Sequence, residues 1–135
     1  MADFTASFRT IPDTRAAVGR AGPHTIVIDR PEGRAGGMGL GFNGGQLLAI
    51  AIGGCLCNDL QYTAEKMAIV IRSLAVDVSV AISGDPLIAE SADVRIEIVP
   101  EDSGADVDAL IAEASRITAV GNSVQRGFPV RFARA

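Results

Sequence analysis

The feature that most constrains the fold is a long apolar segment near the middle of the chain. It runs unbroken over residues 46–52 and continues through residues 53–62, which include both cysteines of the protein. A segment of this length and composition predicts a helix that is apolar on nearly every side. Because so much exposed apolar surface is unfavourable in water, we expect the helix to be buried all round, in a core or between subunits.

Length and charge narrow the class of protein. A chain of 135 residues fits one domain over residues 1–135 with a core of its own, and at 4% aromatic content that core must be mostly aliphatic. The net charge of -4, without clustered Lys or Arg, argues against a nucleic-acid partner. The apolar segment is too short to span a bilayer and no signal peptide precedes it, which predicts a cytoplasmic protein without a membrane partner.

The pattern around this segment predicts an α+β fold. Strands are predicted over residues 4–10, 24–29, 73–82, 92–100 and 128–132, with the third and fourth forming an antiparallel pair, and turns are predicted at Pro12-Asp13, Gly19 and Gly22-Pro23. The central helix should begin near Asn43 to Gln46, with Asn43 as its cap, and end near Ala68. A second amphipathic helix, acidic at its start, is predicted over residues 106–120.

Two groups of glycines bear on the predicted fold, one in the loop before the central helix and one inside that helix. The loop over residues 36–45 lacks both the Lys-Ser/Thr of a P-loop and a dinucleotide fingerprint, so its glycines are predicted to permit tight turns and close backbone contacts. Gly53 and Gly54, inside the helix, each cost about 1 kcal/mol relative to alanine. Such a pair predicts a close neighbour or a bend.

Cys55 and Cys57 are the only candidate nucleophiles. A buried cysteine is by default a small apolar residue, and reactivity needs a nearby cation, helix amino terminus or base. The two lie about 200° apart around a helix axis, so they cannot pair unless the helix unwinds. Asp59, one turn after Cys55, would oppose a thiolate unless an arginine outweighs it. With His24 as the only histidine, the chain makes no zinc site, although a Cys–His pair stays open, and no cofactor is predicted.

Several stretches, taken in order, match a known family. They are GPHTIVID at residues 22–29, GGMGLGFN at 36–43, QLLA at 46–49 with GGC at 53–55, the strand at 94–99, the helix at 110–117 and RGFPV at 126–130. Together they cover most of the chain, which resembles the OsmC/Ohr family of osmotically inducible and organic hydroperoxide resistance proteins. The resemblance implies an intertwined α+β homodimer, with antiparallel sheets wrapped around two long cysteine-bearing helices.

The same resemblance implies roles for particular residues. In peroxide-reducing members the cysteine matching Cys55 attacks the peroxide, an arginine stabilises its thiolate, and a glutamate holds that arginine. A second cysteine on a later helix then resolves the sulfenic acid as a disulfide. Alignment places Gly45 at the glutamate position and Thr118 at that of the resolving cysteine, while Arg15 and Arg20 lie in the region of the arginine.

Three functions follow from these observations. The leading one is a thiol-dependent hydroperoxide reductase in oxidative-stress defence, with Cys55 as nucleophile and resolution by an external thiol reductant or by Cys57 after local unwinding. The alternative is a family member without peroxidase activity that binds a small apolar or thiol ligand at a dimer-interface pocket near Cys55. The residues predicted to line that pocket are Gly37, Asn43, Cys57 and Tyr62. The third is a purely structural dimer whose cysteines only pack.

Overall fold

A three-stranded antiparallel sheet occupies the amino-terminal part of the chain. In the computed structural model, which describes residues 1–135, β1 (Ser7–Thr10), β2 (Ala17–Ala21) and β3 (His24–Ile28) pair in that order within a unit of residues 1–47. The first and third strands were predicted, but β2 was not. The turns predicted at Pro12-Asp13 and Gly22-Pro23 are confirmed, whereas Gly19 lies inside β2, where it serves packing: a Cβ there would stand 2.6 Å from the ring of Phe8 on β1.

A buried carboxylate organises the glycine-rich loop that follows β3. Asp29 accepts hydrogen bonds from the backbone N–H groups of Met38 and Leu40, each at 3.0 Å, and from that of Arg30 at 2.8 Å. The hydrogen bond from Leu40 is the largest cause of the lowered pKa of Asp29. Burial of the carboxylate raises this pKa, whereas the hydrogen bonds from Met38 and Arg30 and the charge of Arg30 lower it further. A Cβ at Gly37 would lie 2.5 Å from the Arg30 carbonyl oxygen, which confirms the predicted close backbone contact.

The central helix, α1 (Gly44–Lys66), begins with a reciprocal pair of hydrogen bonds. The Asn43 side chain accepts from the Gln46 N–H at 2.9 Å, and the Gln46 side chain accepts from the Asn43 N–H at 3.0 Å. Two otherwise unpaired donors at the helix start are thereby satisfied, as in a capping box. The helix ends two residues before the predicted Ala68, which adopts a left-handed φ of 54° incompatible with its continuation.

A second unit, residues 48–135, contains the rest of α1, a hairpin and two further helices. The hairpin strands, β4 (Ile71–Ser83) and β5 (Ile88–Pro100), pair antiparallel as predicted, with Val76 opposite Ile96. α1 packs on α2 (Val107–Ile117), and Leu60 and Leu110 at their contact are fully buried. The remaining residues of this core are Leu56, Ala64 and Ala114, with Leu74, Val76, Ile96 and Ile98 of the hairpin partly buried against them.

The predicted helix over residues 106–120 is in fact two helices. α2 ends at Ile117, and α3 (Ala119–Arg126) begins two residues later, with Thr118 between them. The break occurs because Thr118 has an extended ψ of 118°, although its N–H still donates to the Ala114 carbonyl. The predicted acidic start is confirmed, since the Asp106 side chain accepts from the N–H of Ala109 at 2.9 Å.

The strand predicted over residues 128–132 is not formed. These residues adopt no regular secondary structure, and Phe128, Val130 and Phe132 are 67%, 63% and 93% exposed. A strand needs a hydrogen-bonding neighbour, and no other strand of this chain pairs with the segment. The alternating apolar residues therefore remain uncovered within one copy of the chain.

α1 is buried on one side only within the single chain, so the core of one chain does not surround it and burial between subunits stays a prediction. Ile52 is buried, whereas Ile50 and Tyr62 are 50% and 61% exposed, because the elements of this chain cover one face of the helix. At Gly53 a Cβ would approach Val78 to 2.9 Å, as a close neighbour predicts, while Gly54 has no neighbour within 4 Å. None of the helices has the combination of length and apolar character required to cross a membrane.

Candidate thiol site

The Cys55 thiol lies between a carboxylate and a hydroxyl group. Its sulfur donates to Asp59 Oδ2 at 3.4 Å, and Thr118 Oγ1 donates to the same sulfur at 3.7 Å. Hydrogen bonds that involve sulfur are long and weak compared with those between oxygen and nitrogen. Together the two contacts hold the half-buried thiol in one orientation.

Helix geometry and the break between α2 and α3 bring these three residues together. Asp59 follows Cys55 by four residues on α1, so both side chains lie on the same face, one turn apart. Thr118, which is buried with 8% exposure, contacts α1 from the junction of α2 and α3. The position that alignment assigned to the resolving cysteine therefore does contact Cys55, but it carries a hydroxyl in place of a thiol.

No basic side chain of residues 48–135 pairs with the Asp59 carboxylate. The ion pair of this unit joins Arg116 to Glu113 at 2.7 Å on the exposed side of α2. Their hydrogen bond is the main cause of the lowered pKa of Glu113 and the raised pKa of Arg116. Within this unit, the charge nearest the thiol is therefore negative.

An apolar groove of about 600 Å³ lies next to the residues around the thiol, although Cys55 itself is not part of its wall. Thr118 is part of its wall, so the groove leads to the hydroxyl that contacts Cys55. Aliphatic side chains from five elements form most of the remaining wall, and among them are Ile52, Leu56, Ile96, Ile111 and Val124. Glu90, Ser115 and Gln125 add polar groups. Such a lining suits a largely apolar molecule that also carries a polar group.

The two candidate activating arginines lie in the amino-terminal unit. Arg15 is exposed between β1 and β2 and packs against Gly36, where a Cβ would clash with its side chain. Arg20 is exposed on β2, opposite Thr25 of β3. Neither forms a salt bridge, and the choice between them stays open as a prediction.

The residues predicted to form a ligand pocket have separate structural settings. Gly37 is buried in the glycine-rich loop, Asn43 caps α1, Cys57 is half-buried and Tyr62 is exposed on α1. None of them lines the apolar groove. Both cysteines are free thiols, as predicted, and no cluster of three or more His, Cys, Asp or Glu side chains is arranged to hold a metal ion.

These observations define a small α+β protein that carries a free thiol on its longest helix, beside an apolar groove. A family model described as OsmC-like protein matches residues 36–133. The chain therefore belongs to the OsmC-like family, as the sequence resemblance predicted.

Solved structures share this fold at low sequence identity. An OsmC-like protein from Mycoplasma pneumoniae is 19% identical, with a TM-score of 0.77 over 92% of this chain and 88% of that one. An OsmC-like protein of unknown function from Vibrio cholerae is 12% identical, with a TM-score of 0.80 over 93% and 95%. An organic hydroperoxide resistance protein, OsmC, from Legionella pneumophila is 16% identical, with a TM-score of 0.69 over 93% and 90%. No match was found among curated protein sequences.

Proposed function

We propose that this protein is a thiol-dependent reductase of organic hydroperoxides in oxidative-stress defence, with Cys55 as its nucleophile. The observation that carries the proposal is the contact of the free Cys55 thiol with Thr118, which also lines the apolar groove. An alkyl hydroperoxide has an apolar body that would fit this groove and a polar end that would reach the sulfur. The hydroperoxide resistance named for the similar Legionella protein supports the same substrate class.

The reaction forms an S–O bond and the O–H bond of the alcohol, and it breaks the S–H bond and the O–O bond. Cys55 Sγ attacks the terminal oxygen of the hydroperoxide, the O–O bond breaks, and the products are a cysteine sulfenic acid and an alcohol. We assign to Arg15 or Arg20 the positive charge that stabilises the negative charge developing on the reacting atoms. Because Thr118 offers no thiol, an external thiol condenses with the sulfenic acid and releases water, and a second thiol restores Cys55.

The protein works as a homodimer in this proposal. The uncovered face of α1, with Ile50 and Tyr62 exposed, and the unpaired segment over residues 128–132 favour a second copy as the covering surface. A reducing cytoplasm would supply the external thiol. Light scattering of the purified chain should give twice the mass of one chain, and the mass of a single chain would contradict this assembly.

A peroxidase assay tests the function. The wild-type protein is mixed with cumene hydroperoxide and dithiothreitol, and loss of the hydroperoxide is followed over time. We expect turnover by the wild type and by Cys57→Ser, and none by Cys55→Ser, because Cys55 is the cysteine that forms a hydrogen bond with Thr118 of the groove wall. Equal consumption by Cys55→Ser and wild type, or none by either, would overturn the proposal.

The second candidate is binding of a small apolar or thiol ligand without turnover. It is favoured by Thr118, which removes the intramolecular resolving thiol and leaves a groove beside a lone sulfur. The predicted contacts of such a ligand are Gly37, Asn43, Cys57 and Tyr62 at a dimer interface. Native mass spectrometry should then detect a molecule co-purified with the protein, and an empty protein with peroxidase turnover would exclude this candidate.

A further inference from the structure

We propose that Asp59 is a catalytic residue that carries the proton of the reaction. It takes the thiol proton from Cys55 while the sulfur attacks, and it returns that proton to the oxygen that leaves. The proposal rests on the hydroperoxide reductase function and specifies how the reductase runs with a carboxylate beside its nucleophile.

The first observation is the hydrogen bond itself. The thiol of Cys55 already points its proton at Asp59 Oδ2, 3.4 Å away, which is the arrangement of a general base with its nucleophile. The spacing of four residues on α1 fixes it, because no loop lies between the two side chains. On the other side of the sulfur, the hydroxyl of Thr118 donates and holds Sγ in place, so Thr118 is a positioning residue.

The second observation is the charge around the pair. Within residues 48–135, Asp59 forms no ion pair, and the ion pair of that unit joins Arg116 to Glu113 on α2. An unpaired carboxylate is free to accept a proton, and it opposes a thiolate that stands beside it. The favourable route in such a site moves the proton during the attack, so that a thiolate and a carboxylate never face each other.

The proton balance of the reaction gives Asp59 two roles, first as a general base and then as a general acid. The S–O bond forms with the sulfur electron pair, the S–H proton passes to the Asp59 carboxylate, and the O–O bond breaks toward the alkoxide. That alkoxide is a strong base and a poor leaving group, so the protonated Asp59 donates to it and an alcohol departs. Asp59 ends as a carboxylate, and Cys55 carries the new S–OH group. General acid–base catalysis of this kind contributes roughly 10²- to 10⁴-fold in rate.

The test compares two electrophiles at one fixed pH. Cumene hydroperoxide releases an alkoxide that must be protonated, whereas iodoacetamide releases iodide, which needs no proton. Second-order rate constants for Cys55 are measured by mass spectrometry in the Cys57→Ser protein, with Asp59 intact or replaced as Asp59→Asn. The matched control is Glu65→Gln, which removes the same charge from an exposed position of the same helix.

We expect Asp59→Asn to slow the hydroperoxide reaction by roughly 100-fold or more, and to slow alkylation, which needs only the removal of the thiol proton, by a much smaller factor. Glu65→Gln should change neither rate. The proposal is wrong if Asp59→Asn reacts with the hydroperoxide as fast as the parent or faster, which would indicate a preformed thiolate. It is also wrong if both reactions slow equally, which would indicate a purely structural role.

The two proposals fail differently. If Cys55 with Asp59 intact does not react with cumene hydroperoxide, the reductase function fails, and the role of Asp59 with it. If it reacts but Asp59→Asn keeps the full rate, only the role of Asp59 fails. Should Asp59→Asn not fold, a series of hydroperoxides with leaving groups of different basicity is measured on the protein with Asp59. A nearly constant rate supports proton donation, and a steep loss with the more basic leaving groups overturns it.

Discussion

Thr118→Cys should restore the disulfide that this chain lacks. The hydroxyl oxygen of Thr118 lies 3.7 Å from the Cys55 sulfur, so two sulfur atoms would need to close about 1.6 Å to reach a bond of about 2.05 Å. Side-chain rotation covers a distance of this size. We therefore expect hydroperoxide to oxidise Cys55 and the introduced thiol to trap it as an intramolecular disulfide.

The size of the effect follows from the loop that this bond would close. The two positions are 63 residues apart, and the loss of loop entropy in the unfolded chain gives roughly 4 kcal/mol of added stability. With a slope of about 2 kcal/mol per molar urea, the unfolding midpoint should rise by roughly 2 M between the reduced and the oxidised variant. Urea unfolding of the two forms, both in the Cys57→Ser background, measures this shift.

A control variant tests whether disulfide formation requires direct contact with Cys55 or only a thiol in the same groove. Ser115→Cys introduces a thiol into the same groove from α2, at a side chain that has no hydrogen bond to Cys55. Peptide mapping without reductant should find the disulfide with Thr118→Cys and not with Ser115→Cys. The reasoning would be refuted if Thr118→Cys remained reduced after oxidation of Cys55, or if its disulfide formed and lowered the stability.

Two further predictions concern the fold. Leu110→Ala empties a fully buried position between α1 and α2, so urea unfolding should show a loss of roughly 2–5 kcal/mol, and a loss below that range would contradict the described core. Asp29 has a lowered pKa, so its carboxylate stabilises the fold above the ordinary carboxyl range, and this stabilisation disappears as the pH falls through the folded value. Asp29→Asn should therefore be less stable than wild type at neutral pH and similar to it in acid, whereas a stability difference that does not change with pH would oppose this account.

Much of the fold was predictable because local signals agreed with tertiary packing. The apolar run and the Asn43 cap located α1, and strict alternation located β4 and β5. The predictions failed where tertiary contacts determine the local structure. Gly19 was assigned to a turn, but it lies in a strand that packs against Phe8. Thr118 was assigned to the interior of a helix, but its backbone conformation ends α2.

The terminal segment shows a different limit. Residues 128–132 alternate as a strand does, but alternation specifies only a buried and an exposed face and supplies no neighbouring strand. For the same reason, the apolar sequence of α1 predicts that the helix is covered on all sides but does not show whether this chain or a second copy covers it. A single domain over residues 1–135 stays a prediction.

The candidate site was predictable in part. The resemblance selected Cys55 and aligned Thr118 with the resolving position, and helix geometry placed Asp59 one turn from the thiol. The sequence could not show that the Thr118 hydroxyl contacts the sulfur or that a groove runs beside both, since this arrangement depends on how α2 and α3 meet α1. The roles of Arg15 and Arg20 stay predictions, because an approximate alignment selected these residues and no helix or strand spacing relates them to Cys55.

The central claim, that Cys55 is a hydroperoxide-reactive thiol beside an apolar groove, is tested most directly by its rate of oxidation. Stopped-flow mixing of the Cys57→Ser protein with cumene hydroperoxide gives the second-order rate constant, and mass spectrometry locates the added oxygen. We predict oxidation at Cys55 that is faster than that of free cysteine and faster with cumene hydroperoxide than with hydrogen peroxide, because the groove binds the apolar group. A rate no higher than that of free cysteine would contradict the account.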